Sequence, residues 1–137
     1  MIKRIKKVVI SVMAAGMLFG GVMPVQANVA HRAALEWSRN GTSVRAYSLG
    51  RRTGTTPFIA MRMRISSNAI TVVNGVARNN PINHPWTTQD NPRYGHQYRG
   101  ARMDRTISQG YVASQVEIRP LNAAHFGMGQ SVRQDFN

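Results

Sequence analysis

Residues Ile59 to Ile65 read Ile-Ala-Met-Arg-Met-Arg-Ile, an alternation with a period of two. An extended strand puts every second side chain on one face. Ile59, Met61, Met63 and Ile65 are therefore expected to be buried together, with Ala60, Arg62 and Arg64 on the opposite side. Tyr111 to Arg119 repeats the pattern: Val112, Val116 and Ile118 line one face, and Gln115, Glu117 and Arg119 the other. Phe126, Met128, Val132 and Phe136 suggest a last strand, interrupted by Gly127 and Gly129 at positions that suit a bulge. Asn74-Gly75 stands among β-branched residues in the run Ala69 to Ala77, and this pair is favoured in a two-residue type I′ hairpin turn. Asn40-Gly41 stands in the same way between Leu35–Arg39 and Ser43–Leu49.

Two stretches read differently. Ala30, Ala33, Ala34 and Leu35 permit a short helix, so Val29 to Trp37 is expected to be a partly helical or irregular lead-in. Arg78 to Gly100 carries Asn79, Asn80, Pro81, Pro85, Asn91, Pro92, Gly95 and Gly100, with Trp86, Tyr94 and Tyr98 among them. That composition predicts a long loop. Short strands separated by Gly, Asn and Pro turns predict an all-β fold: a small antiparallel β-sandwich or open barrel after an N-terminal helical signal segment.

The front of the chain predicts where it goes. Lys3, Arg4, Lys6 and Lys7 precede an apolar run from Val8 to Val25, which ends in Val25-Gln26-Ala27. These are the parts of a secretory signal peptide cleaved near Ala27. The expected organisation is a signal peptide over residues 1–27 and a single secreted β domain over 28–137, released to the outside of a Gram-positive type of cell. The chain has no cysteine, so no disulfide contributes to its stability.

All three lysines lie in the leader. Beyond it stand 14 arginines against five acids, Glu36, Asp90, Asp104, Glu117 and Asp135, a net charge of +9. Such a balance favours anionic partners. Arginine offers phosphate a planar fork of donors, and its stem also covers apolar surface, so an arginine-only domain fits both uses. Arg62 and Arg64 share a strand face, while Arg93, Arg99, Arg102 and Arg105 surround Tyr94 and Tyr98. Arginine interleaved with aromatic rings is suited to gripping a phosphate chain. These eight residues form the expected anion-binding set.

Tyr47-Ser48-Leu49-Gly50-Arg51, the strand ending near Ser66 and the tail from Gly110 to Asn137 together resemble the layout of small secreted β-proteins of Gram-positive bacteria. Those include families of unknown function and, more distantly, lactococcin-972-like bacteriocins. The resemblance implies a signal peptide and a β-sandwich, and supplies no catalytic residue.

Enzymatic constellations find little support. Gly127-Met128-Gly129-Gln130-Ser131 has the wrong order for a nucleophile elbow, and no thiol is present. The five acids suggest no carboxylate pair. His31, His84, His96 and His125 have no metal-ligand spacing, although His84, His96 and Asp90 share the long segment. Asn40-Gly41-Thr42 matches a glycosylation acceptor and reads here as a turn. The expectation is a non-enzymatic protein without metal or cofactor. Its expected partner is an anionic cell-wall polymer, such as teichoic acid, or a membrane surface. A bacteriocin-like antagonist and a secreted nucleic-acid binder are the alternatives.

Overall fold

In a computed structural model, the described residues are 6–10, 30–54 and 56–137. They form two antiparallel five-stranded sheets packed face to face. In the first sheet, β1 (Lys6–Ile10) pairs with β2 (His31–Asn40), which pairs with β3 (Ser43–Arg52). The far edge of β3 takes two short strands, β7 (Gln97–Arg99) and β8 (Met103–Thr106). The second sheet has the same plan. β10 (Gly127–Phe136) pairs with β9 (Gly110–Pro120), which pairs with the long β4 (Phe58–Val73). The far edge of β4 takes β5 (Val76–Asn83) and β6 (Thr87–Asp90). Neither sheet closes on itself, so the fold is a sandwich and not a barrel.

The alternation in β4 is realised from Met61 to Ile65: Met61, Met63 and Ile65 are fully buried, and Arg62 and Arg64 lie on the other face. It fails at the start, where a register shift between Phe58 and Ala60 leaves Ile59 half-buried and outside the core, puts Phe58 in the core instead, and leaves Ala60 buried. Val112, Val116 and Ile118 of β9 and Val132 and Phe136 of β10 complete one wall of the core. Ala33, Leu35 and Trp37 of β2 with Val44 and Ala46 of β3 form the other, and Met103 and Ile107 close the side. Each fully buried Leu, Ile or Met contributes roughly 1.5–3 kcal/mol through removal from water, which has to hold a fold with no disulfide. Trp37 meets Phe136 edge to face across the sheets, at 5.2 Å between ring centres. Ser48 and Ser114, both buried, bond to each other at 2.7 Å and so satisfy two hydroxyls inside the apolar layer.

Two inward arginines close the ends of the core. Arg39 donates to the Ile107 and Ser108 carbonyls and lies 4.8 Å from the Phe136 ring centre. At the other end Arg52 donates to the Pro92 carbonyl, 4.6 Å from the ring centre of Phe58. Both cover a ring with a flat cation while a terminal nitrogen of each donates to carbonyl oxygen.

Several expectations are corrected. His31–Asn40 is a strand and not a helical lead-in, because pairing with β3 along its whole length outweighs the helix preference of its alanines. Its turn is centred on Gly41 and Thr42, one residue later than expected, with Gly41 at φ 62°. Arg78 to Gly100 is not one loop but holds β5, β6 and β7. Pro81 is accommodated because β5 is an edge strand. The helical leader is replaced at Lys6–Ile10 by a strand on the open edge of β2, where the β-branched Val8, Val9 and Ile10 favour extension. The rest of the expected leader lies outside the described residues. In β10 the bulge does fall between Gly127 and Gln130, and it shifts the phase so that Val132 and Phe136 point inward while Met128 is exposed.

Two backbone positions have a fixed requirement. Asn74 and Gly75, at φ 52° and 76°, form the expected turn between the paired Val73 and Val76. Gly110, at φ 144°, lies so close to β4 that a Cβ there would sit 1.8 Å from the Asn68 carbonyl oxygen.

Candidate functional site

The expected anion-binding set does not converge on one place. Arg62 and Arg64 lie on the outer face of the second sheet. Arg99 and Arg102 lie beside the outer face of the first. Arg105, on β8, turns to the gap between the sheets. Tyr98 packs against the core, and its hydroxyl accepts from the Arg93 backbone N–H. Tyr94 is exposed, with Arg93, in the turn before β7.

On the outer face of the second sheet, the guanidinium groups of Arg62 and Arg64 are covered, while the Arg133 side chain is 56% exposed. Arg62 lies 4.1 Å from the Trp86 ring centre and 4.5 Å from that of Phe126, and Arg64 lies 4.1 Å from Trp86. Arg62 Nε donates to the Glu117 carboxylate at 2.8 Å, and Arg64 Nε donates to Gln115 Oε1 at 2.7 Å. The β4–β9 register places these partners directly opposite each other. Further along, Arg133 is bonded to Asp135 and lies 3.9 Å from the Tyr111 ring centre. A polar groove of about 560 Å³ opens there between Asn68, Asn79, Tyr111 and Arg133.

The outer face of the first sheet is different. Alternation along β3 puts Arg45, Tyr47 and Arg51 on one side, and register sets Arg32 beside Arg51, Glu36 beside Tyr47 and Asp104 beside Arg45. Arg99 donates to Glu36 at 3.0 Å and lies 4.2 Å from the Tyr47 ring centre. Asp104 receives Nε of Arg45 at 3.0 Å and Nε of Arg102 at 2.7 Å. The Arg45 hydrogen bond, with the Arg102 charge, holds the Asp104 carboxyl below its ordinary value despite slight desolvation. A guanidinium has five N–H donors, so these contacts leave others facing water. Arg45, Arg99 and Arg102 are 53–54% exposed, against 28% for Arg62. Five arginines, Arg32, Arg45, Arg51, Arg99 and Arg102, share this region with only two acids, Glu36 and Asp104. Arg32 and Arg51 are one strand separation apart, whereas Arg45 and Arg51 stand six residues, about 20 Å, apart along β3, with Tyr47 and the buried Leu49 between them. Such an array suits bidentate contact with successive phosphates or carboxylates.

Arg45 and Arg51 were legible as members of a face by the same alternation that reads Arg62 and Arg64, since Val44, Ala46 and Ser48 mark the buried side. Arg32 was hidden by the helical reading of its segment.

A serine–histidine pair lies at the gap between the sheets. Arg105 Nη1 donates to Ser67 Oγ at 2.8 Å, and the Ser67 hydroxyl is hydrogen-bonded with His84 Nε2 at 3.0 Å. Ser67 is fully buried. Desolvation first, then the Arg105 cation, lowers the His84 pKa. That charge is of the wrong sign to strengthen a general base. Arg105 Nη2 also donates to the Asn80 carbonyl, so the cluster ties β8 to β4 and β5. Among the described residues no three of His, Asp or Glu gather as metal ligands; His96 instead stacks on Tyr98.

No family model matches this chain, so the resemblance to lactococcin-972-like proteins is not shown, and no curated protein matches either. Among solved structures it is similar to the sporulation control protein Spo0M of Bacillus subtilis, at 10% identity and a TM-score of 0.37. That alignment covers 79% of this chain and 49% of Spo0M, so the chain spans about half the length of that protein.

Proposed function

We propose that this chain is an exported, non-enzymatic cationic protein that binds phosphate-rich anionic surfaces of the cell envelope, wall polymer or lipid headgroup, through the outer face of its first sheet. The observation that carries this reading is the exposure of Arg45, Arg99 and Arg102, each with donors left over after its ion pair, beside Arg51 on the same face. The eight residues expected from sequence are thereby narrowed. Arg99 and Arg102 stay in the binding set, Arg45 and Arg51 join it, and Arg62, Arg64 and Arg105 become structural.

The test is retention on cell walls rich in teichoic acid at rising salt. The wild type is expected to be retained at low salt and released steeply as ionic strength rises, because exposed charge is screened within about 10 Å at 0.1 M. Replacing Arg45, Arg51 and Arg99 together by Gln is expected to abolish retention, while the Arg62→Gln, Arg64→Gln pair leaves it near wild type. Equal loss in both variants refutes the assignment to the first sheet. The bacteriocin-like and nucleic-acid readings begin with the same anion contact. Growth arrest of a related strain supports the former. A mobility shift whose salt slope falls in the triple variant supports the latter.

A further inference from the structure

The pairing of β4 with β9 ends at Ala69 and Gly110, whereas its pairing with β5 continues to Val73 and Val76. Beyond Ala69 the chain is a two-stranded ribbon that stands away from the sandwich, and every residue of β5 is exposed. Its tip carries Val72, Val73 and Val76, at 60%, 52% and 60% exposure. Strand alternation puts Val72 with Ala77 on one side of the ribbon and the Val73–Val76 pair on the other. The tip is therefore apolar on both sides. A protein surface covers one side of a ribbon; a fluid apolar medium takes both. Three valines also present far less than the roughly 1,000 Å² of a specific protein interface. Arg78 stands behind them, opposite Thr71, and β4 and β5 carry no acid; Asp135, paired with Arg133, lines the groove at the root of the ribbon. An apolar tip with an arginine behind it matches an anionic bilayer, where lipid tails take the valines and headgroups meet the arginine.

We infer that the Val72–Val76 hairpin tip inserts into the interface of anionic membranes. The inference rests on the envelope reading above and narrows its partner to a bilayer. The absence of native cysteine permits a direct test. A Val73→Cys variant of the full domain, labelled with an environment-sensitive fluorophore, is mixed with phosphatidylglycerol vesicles, phosphatidylcholine vesicles or soluble polyphosphate. A blue shift with phosphatidylglycerol alone is expected. In parallel, unlabelled protein carrying Val72→Thr, Val73→Thr and Val76→Thr is expected to sediment with phosphatidylglycerol vesicles about tenfold more weakly than wild type, the scale of three small apolar groups kept in water. Its polyphosphate binding is expected to be unchanged. Thr keeps the β-branched shape, and unaltered circular dichroism shows that the fold is kept. Co-sedimentation with no blue shift, or equal sedimentation of the triple Thr variant, overturns the inference while polyphosphate binding upholds the anion face. Loss of polyphosphate binding in the wild type removes the anion face itself. A wild-type dimer that becomes a monomer in the Thr variant also overturns insertion, assigning the tip to a second copy of this chain.

Discussion

On one outer face of this sandwich, Arg62 and Arg64 lie flat against Trp86, with Glu117 and Gln115 bonded at their edges. On the other, Arg45, Arg99 and Arg102 share two carboxylates and keep donors in water. The residue type is the same; the surroundings are not. A nearby ring and a matched acceptor convert a guanidinium into a lid for the sheet. Where rings are few and acids are shared, it remains available to an incoming anion.

The comparison can be broken outright by disrupting the strand both faces depend on. Gly110→Ala forces a Cβ into the Asn68 carbonyl at a φ that L side chains avoid. It is expected to cost more than about 4 kcal/mol, and thermal or urea unfolding should find little native protein. A sharper test removes the lid. Trp86→Ala uncovers Arg62 and Arg64, and is expected to lose about 2–3 kcal/mol of stability while raising anion retention. If retention does not rise, covering is not what silences that face.

Acid should weaken the shared interior before it alters either face. Burial lowers the pKa of His31, against smaller opposing effects from the Val116 and Met128 carbonyls and Glu117, and burial also lowers that of His84. The unfolded chain therefore binds protons that the folded chain refuses. Stability is expected to be full above about pH 6.5 and to fall as pH drops below it. Urea midpoints from pH 7.5 to 5 check this, and His31→Leu should flatten the slope. The smallest effect belongs to Asp104→Asn. The change frees Arg45 and Arg102 at a cost below about 0.5 kcal/mol, as for an exposed ion pair. Anion affinity should rise roughly two- to fivefold, since one exposed charge contact is worth about 0.5–1 kcal/mol.

Much of the fold was legible where a local pattern and its environment agree. Met61, Met63 and Ile65 alternate because one face of β4 meets the core, and Asn74-Gly75 turns because both residues tolerate positive φ. The illegible parts are those decided by distant partners. Ala33 and Ala34 would suit a helix, and only β3 makes them strand. β5 through β7 are short, polar edge pieces in which Pro81 and repeated asparagines carry no strand signature. The binding face was partly hidden for the same reason. Alternation tells which arginines share a strand face, but Arg45 meets Asp104, and Arg99 meets Glu36, only through pairings across 59 and 63 residues of chain.

β4 is 16 residues long, and it belongs to the core at one end and to the projecting hairpin at the other. With the hairpin held in a bilayer, drag on the domain would travel along this single segment. Its bonds to β9 lie side by side, so a pull along the strand axis strains many of them at once instead of peeling them singly. The tip would then be the end of a mechanical tether, rooted where β4 joins β9 and the core.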